Sequence, residues 1–221
     1  MDLYSQKASN KIPQIILVVI QMVWISISIL IYASVDQNAI NNTTKLALMT
    51  LIILNIISFI RFMFAFFVFI KRKIPLEELF SVSIAFGIYY LGFLLLARNV
   101  SDNSKINVIT GILFFIIGSL IHSISELQRH RWKSRPENKG KIFTLKLFSV
   151  SRHPNYFGDV LWVTGYAIVS GNIFSFIIPL LLFIFFITYN IPMQEKHMKE
   201  KYKNEYVEYC KKVKSIIPHV L

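Results

Sequence analysis

Arg152, His153, Asn155, Tyr156 and Asp159 fall within eight positions of the segment FSVSRHPNYFGDVLW, residues 148–162. A guanidinium beside an imidazole can meet phosphate through charge-assisted hydrogen bonds. An amide and a carboxylate four positions apart share one face of a helical turn, where they can read hydroxyls or a carboxamide. The His153-Pro154 step disfavours helix at His153, so Asn155 is expected as a helix cap and Gly158 as a point of close backbone approach. This polarity stands directly before an apolar run in a chain that is 54% hydrophobic. Side chains of these types at this spacing can bind a ligand that carries phosphate, hydroxyl or carboxamide groups.

Other reactive side chains lie inside or beside apolar runs. Arg61 is a charge deep within one of them, ten residues before Lys71, or about 15 Å along a helix. It either lines a cavity or fixes packing through a helix-end carboxylate; Asn55 and Ser58 precede it at helical spacing. Gly111, Gly118, His122, Glu126 and Arg129 recur at three-, four- and seven-residue steps. That face combines close helix approach with a polar cytoplasmic end, so His122 and Glu126 are cavity-lining candidates. A lone histidine there is more often a hydrogen-bonded core residue. Tyr89 and Tyr90, mid-run, and Glu77 and Glu78, after Pro75, are candidate proton donors. The competing readings are packing for the phenols and a helix start for the acids. Arg131 and Lys141 belong to a basic segment, 126–158, whose RPENKGK turn either clamps phosphate or is simply solvated. Glu195 and His197 stand where the last apolar run ends, and Met198, Tyr202, Tyr206 and Tyr209 follow at helical steps. A single cysteine, Cys210, excludes an intramolecular disulfide and a cysteine-based metal site; no metal centre is expected.

The elements that must position these residues are membrane helices. Four apolar runs of roughly 20 residues are long enough to span a bilayer: IPQIILVVIQMVWISISILIYASV, LALMTLIILNIISFIRFMFAFFVFI, LFSVSIAFGIYYLGFLLLA and INVITGILFFIIGSLIHSI. A fifth, VLWVTGYAIVS, is short and is expected to borrow NYFGD; a sixth is IFSFIIPLLLFIFFITYNI, with Gly171-Asn172 as the turn between them. The first run is too long for a signal-peptide core and reads as a retained helix. With six spans and an inside start, segments 1–12, 71–76, 126–156 and 193–221 hold 20 of the 24 Lys and Arg. The expectation is therefore an all-α, polytopic integral membrane protein with both termini cytoplasmic, in a bacterial inner membrane or endoplasmic reticulum. The net charge of +12 is mostly this cytoplasmic surface, which favours anionic lipid over nucleic acid.

ELQRHRWKSRPENKGKIFTLKLFSVSRHPNYFGDVLWVTGYAIVSGN, followed by IPMQEKHMKEKYKNEYVEYCKKVKSIIPHV, resembles the C-terminal domain of the steroid 5-alpha-reductase superfamily. Sterol C14 reductases carry a similar RHPNYxGD, and isoprenylcysteine carboxyl methyltransferases share a broader RHPxY and a similar tail. The resemblance covers residues 121–221; residues 1–120 would then form the substrate side. It implies an all-helical membrane fold with a cofactor pocket open to the cytoplasm. By motif it carries cofactor binding onto Asn155, Tyr156 and Asp159, with Arg152 and His153 beside them. Glu195, His197 and Tyr202 follow from the tail, and Arg131 and Lys141 from the upstream loop. Steroid reductases resemble each other in a Glu and a Tyr that hold the substrate ketone; neither is placed here, and Ser58 falls near the Tyr position. The methyltransferases usually lack the Asn and the acid of NYFGD.

The resemblance implies an NADPH-dependent reductase of a conjugated carbon–carbon double bond in an apolar steroid-, sterol- or isoprenoid-like lipid. Arg61, His122 and Glu126 would line its cavity, and one of Tyr89, Tyr90, Glu77 or Glu78 would donate the proton. The alternatives are an S-adenosylmethionine-dependent methyltransferase of a lipidic or prenylated acceptor, and an inactive membrane scaffold.

Overall fold

The computed structural model describes residues 11–36, 38–69, 74–100 and 102–217. Among these, six long helices carry the fold: α1 (Ile12–Ala33), α2 (Asn42–Val68), α3 (Leu76–Ala97), α4 (Lys105–Lys133), α5 (Pro154–Ser170) and α6 (Ile173–Lys212). All but α5 are long and apolar enough to cross a membrane. The protein is thus an all-helical, polytopic membrane protein. This follows from the solvent: in lipid a backbone must satisfy its own hydrogen bonds, and a helix does so within one segment.

Local chemistry sets the helix ends. Asn41 caps α2, its side chain accepting from the Thr44 amide at 2.7 Å. Glu77 and Glu78 occupy the first turn of α3, as expected of a helix start. The helix α5 does borrow NYFGD, but it begins at Pro154. Asn155 is therefore not the cap. Proline takes the first helical position readily, and the His153 carbonyl already accepts from the Phe157 amide at 3.2 Å. Gly171, at φ +68°, ends α5, and Asn172 caps the turn that opens α6. The sixth run and the tail form one helix, with a π-helical turn at Phe186–Asn190 and a break at Lys203, where φ is 48°.

The chain divides into two compact units. The first holds 1–112 and 166–178. It is organised inside-out: in α1 the buried residues are Gln14, Leu17, Gln21 and Ser28, while Ile15, Val19, Met22 and Val23 are exposed. The lipid-facing side needs apolar groups and the interior can hold paired polar ones. Tyr90 donates to the Gln21 carbonyl at 3.2 Å, the Asn55 amide donates to the Tyr90 carbonyl at 3.3 Å, and the Ser58 and Tyr166 hydroxyls lie 3.1 Å apart.

The second unit holds 113–165 and 179–221. The basic segment between α4 and α5 is anchored by its own apolar side chains. Ile142, Phe143 and Phe148 are buried, and the Phe143 ring packs against Trp132 and Phe148 at centroid distances of 5.3 and 5.2 Å. Ile142 also joins Tyr202, Tyr206, Tyr209 and Val213 in a core beneath the end of α6.

Candidate functional site

The second unit brings the quoted motif and the end of α6 together. Backbone amides of Arg152 and His153 donate to the carbonyls of Lys214 and Ser215, each at 2.9 Å, and the Ser151 hydroxyl lies 2.9 Å from the Ser215 carbonyl. The segment after α6 thus runs alongside the residues that precede α5. All three guanidinium nitrogens of Arg152 are engaged. Nε and Nη2 donate to Glu195 Oε1 at 2.9 and 2.6 Å, and Nη1 donates to the Val213 carbonyl at 2.5 Å. The His153 ring nitrogen Nε2 is 3.4 Å from the same carboxylate oxygen.

Burial opposes the charge on Arg152, but its hydrogen bonds to Glu195 outweigh burial and lift its pKa above the ordinary guanidinium value. For His153 the balance is reversed. Burial lowers its pKa below that of a free imidazole, and the nearby Arg152 charge adds to this, against the pull of Glu195.

Tyr156 is held on both faces. Its ring stacks on His153 at 5.6 Å and on Phe186 at 4.3 Å, and its hydroxyl accepts from the Gln194 amide at 2.5 Å. Phe186 opens the π-helical turn of α6. Asn155 is buried in the first turn of α5.

A second polar group lies where α4 crosses α5. The two helices meet at paired glycines. A Cβ on Gly118 would come within 2.6 Å of the Gly158 carbonyl oxygen, and one on Gly158 within 2.6 Å of the His122 nitrogen. This approach places His122 Nδ1 2.7 Å from Asp159 Oδ1, with the two side chains 14% and 15% exposed. Trp162 Nε1 donates to the same oxygen at 2.8 Å. One turn before His122, the Ser119 hydroxyl oxygen is shielded from solvent and has no hydrogen-bond partner among the described residues. One turn beyond it, Glu126 holds Arg129 Nη2 at 2.6 Å.

The remaining sequence-predicted residues scatter. Arg131 and Lys141 are exposed, His197 is half-buried, and Tyr202 packs in the core with Ile142. In the first unit, Tyr89 and Tyr90 are buried in a π-helical turn at Ile88–Gly92. Tyr89 packs on Phe86 and the Tyr90 hydroxyl is held by Gln21. Glu77 is exposed and Glu78 half-buried. The Arg61 guanidinium lies 5.0 Å from the Phe62 ring centroid and within electrostatic reach of Tyr90 and Tyr166.

Sequence reasoning missed Gln21, Trp162, Tyr166 and Gln194 as members of these groups. A signal existed for the first: Gln14, Gln21 and Ser28 recur every seven residues in an otherwise apolar run. It also assigned Asp159 to a cofactor without seeing His122 as its neighbour.

Residues of this chain are similar to three kinds of enzyme. A 63-residue stretch, 28% of this chain and 22% of the relative, is 41% identical to a protein of Ustilaginoidea virens named "Probable O-methyltransferase ustE". Protein-S-isoprenylcysteine O-methyltransferase B of Arabidopsis thaliana is 28% identical over 115 residues, covering 50% of this chain and 58% of the relative. Delta(14)-sterol reductase of Arabidopsis thaliana is 25% identical over 126 residues, covering 51% and 34%. The chain spans less than two thirds of the length of each of these relatives. Residues 2–213 match the model of DUF1295, described as a protein of unknown function, and the chain belongs to that family, which is steroid 5-alpha-reductase-like.

Proposed function

We propose that this protein is a membrane-embedded methyltransferase that uses S-adenosylmethionine to modify an apolar, lipidic acceptor. The carrying observation is the state of Arg152. A nicotinamide dinucleotide phosphate brings several phosphate charges that guanidinium groups read best. Here all three Arg152 nitrogens already donate to Glu195 and to backbone carbonyls, and Arg129 is bound to Glu126. The motif arginine therefore braces the site from within instead of facing a phosphate.

The remaining donor set suits a ligand without phosphates. S-adenosylmethionine carries a sulfonium and an ammonium group, a carboxylate, ribose hydroxyls and adenine, and when bound it supplies an electrophilic methyl group. The Glu126 carboxylate on α4 adds negative charge that favours the cationic end, while Asp159 stays with His122. Asn155, buried at the start of α5, would read hydroxyls or adenine. Tyr156, covered on both faces, would shape the pocket wall through Gln194. Tyr202 would support it from the core. The O-methyltransferase relatives support the same reading.

The second reading is the NADPH-dependent reductase. The Asn and Asp of the NYFGD sequence and the likeness to a sterol reductase favour it. The two separate by thermal shift on the purified, detergent-solubilised chain. A ligand that binds only the folded state at 100 times its Kd stabilises by about 2.7 kcal/mol. Stabilisation by S-adenosylmethionine and not by NADPH or NADH is the expected result; the opposite selectivity would establish the reductase reading.

A further inference from the structure

We propose that His122, oriented by Asp159, is a proton acceptor, and that the methyl acceptor is therefore a neutral hydroxyl or phenol on an apolar molecule. This rests on the methyltransferase reading and names its substrate class. The geometry is a dyad: Asp159 Oδ1 lies 2.7 Å from His122 Nδ1. A carboxylate at that distance favours, through its charge, the proton on Nδ1, which leaves the lone pair on Nε2, the tautomer of a general base. Trp162 fixes the carboxylate from its other side at 2.8 Å, and the Gly118–Gly158 crossing fixes the two backbones. The pair retains 14% and 15% side-chain exposure, so it is sheltered without being sealed. The shielded Ser119 hydroxyl, one turn away on α4, offers a hydrogen bond to an acceptor oxygen.

The acceptor class follows from proton balance. In an S-isoprenylcysteine terminus the acceptor oxygen belongs to a carboxyl group, which is ionised at neutral pH and needs no base. A hydroxyl or phenol must lose its proton. As its oxygen forms the new C–O bond, the C–S bond breaks with its electron pair on sulfur. The acceptor proton passes to His122 Nε2 and then to solvent, and Asp159 balances the imidazolium. Asp159 is thus a positioning residue.

The test supplies radiolabelled S-adenosylmethionine to the purified full chain with two acceptors, 4-nonylphenol and palmitate. Methylation of the phenol, reduced about 100-fold or more in His122→Gln with the S-adenosylmethionine thermal shift retained, is expected. Imidazole 15N NMR provides a readout independent of turnover: His122 should carry its proton on Nδ1, and Asp159→Ala should move it toward Nε2. Thermal shift with methylation of palmitate alone, or a His122→Gln variant as active as the native chain, overturns this inference and leaves the methyltransferase reading standing. Absence of any S-adenosylmethionine shift overturns both.

Discussion

Arg152 and Glu195 form an ion pair at 2.6 Å whose three guanidinium nitrogens are all engaged. The pair ties the residue before α5 to α6 and to the segment that follows it, so its removal should be felt as lost stability. Arg152→Ala leaves the Glu195 carboxylate half-buried with fewer donors. A hydrogen bond to a charged group contributes about 1.5–3 kcal/mol, and a loss of that order is expected in denaturant or thermal unfolding of the detergent-solubilised chain. A loss below about 0.5 kcal/mol, the level of an ordinary surface change, would contradict the bracing role. His153 adds a pH signature. Burial lowers its folded pKa below the unfolded value of about 6.5, so between the two the unfolded chain binds more protons and stability rises with pH. The His153 contribution is complete above about pH 6.5 and is lost as pH falls through the folded pKa. Comparing the thermal midpoints of the native chain and His153→Gln across pH 5–8 should show this slope in the former and a weaker one in the latter.

At the scale of elements, the α4–α5 crossing and the segment after α6 hold the two polar groups. Gly158 has no room for a methyl group against His122 and the Gly118 carbonyl. Gly158→Ala should destabilise by about 1–3 kcal/mol, the range for overpacking, and should lengthen the His122–Asp159 contact, which the same 15N spectrum detects. Ile216 is 1% exposed and packs with Phe186 and Ile191. Ile216→Ala should cost about 2–5 kcal/mol and weaken cofactor binding, because that segment carries the carbonyls that hold Arg152 and His153; unchanged binding would separate it from the site. These elements also show what a sequence discloses. The Gly171-Asn172 end of α5 and the acidic first turn of α3 were legible because each depends on neighbouring residues, whereas the start of α5 was misread at Asn155 because proline itself takes the first helical position. The Arg152–Glu195 and His122–Asp159 pairs join positions 43 and 37 apart, and only tertiary packing decides such partners. The π-helical turns at Ile88–Gly92 and Phe186–Asn190 have no compositional signature, so the placement of Tyr90 and Phe186 was not readable.

The whole molecule is governed by its solvent. In α1 the apolar face is exposed and Gln14, Gln21 and Ser28 are inside, the reverse of a water-soluble helix, so hydropathy located the span but hid its interior face. The same solvent fixes direction through charge: moving the basic segments around α5 and α6 across a bilayer would expose many Lys and Arg to hydrocarbon, at about 2.5–3.5 kcal/mol each at the helix centre. The end of α6 should therefore face the cytoplasm and the loop between α1 and α2 the opposite side. Cys210 is the one cysteine of the chain, so Cys210→Ser gives a cysteine-free background in which exposed Asn38→Cys or Lys199→Cys reports one side each. A membrane-impermeant maleimide should label Asn38→Cys in intact cells and Lys199→Cys only in inside-out vesicles. Labelling of Lys199→Cys in intact cells would place the polar groups of the second unit on the far side of the membrane, away from cytoplasmic S-adenosylmethionine, and would remove the cofactor assignment with the topology.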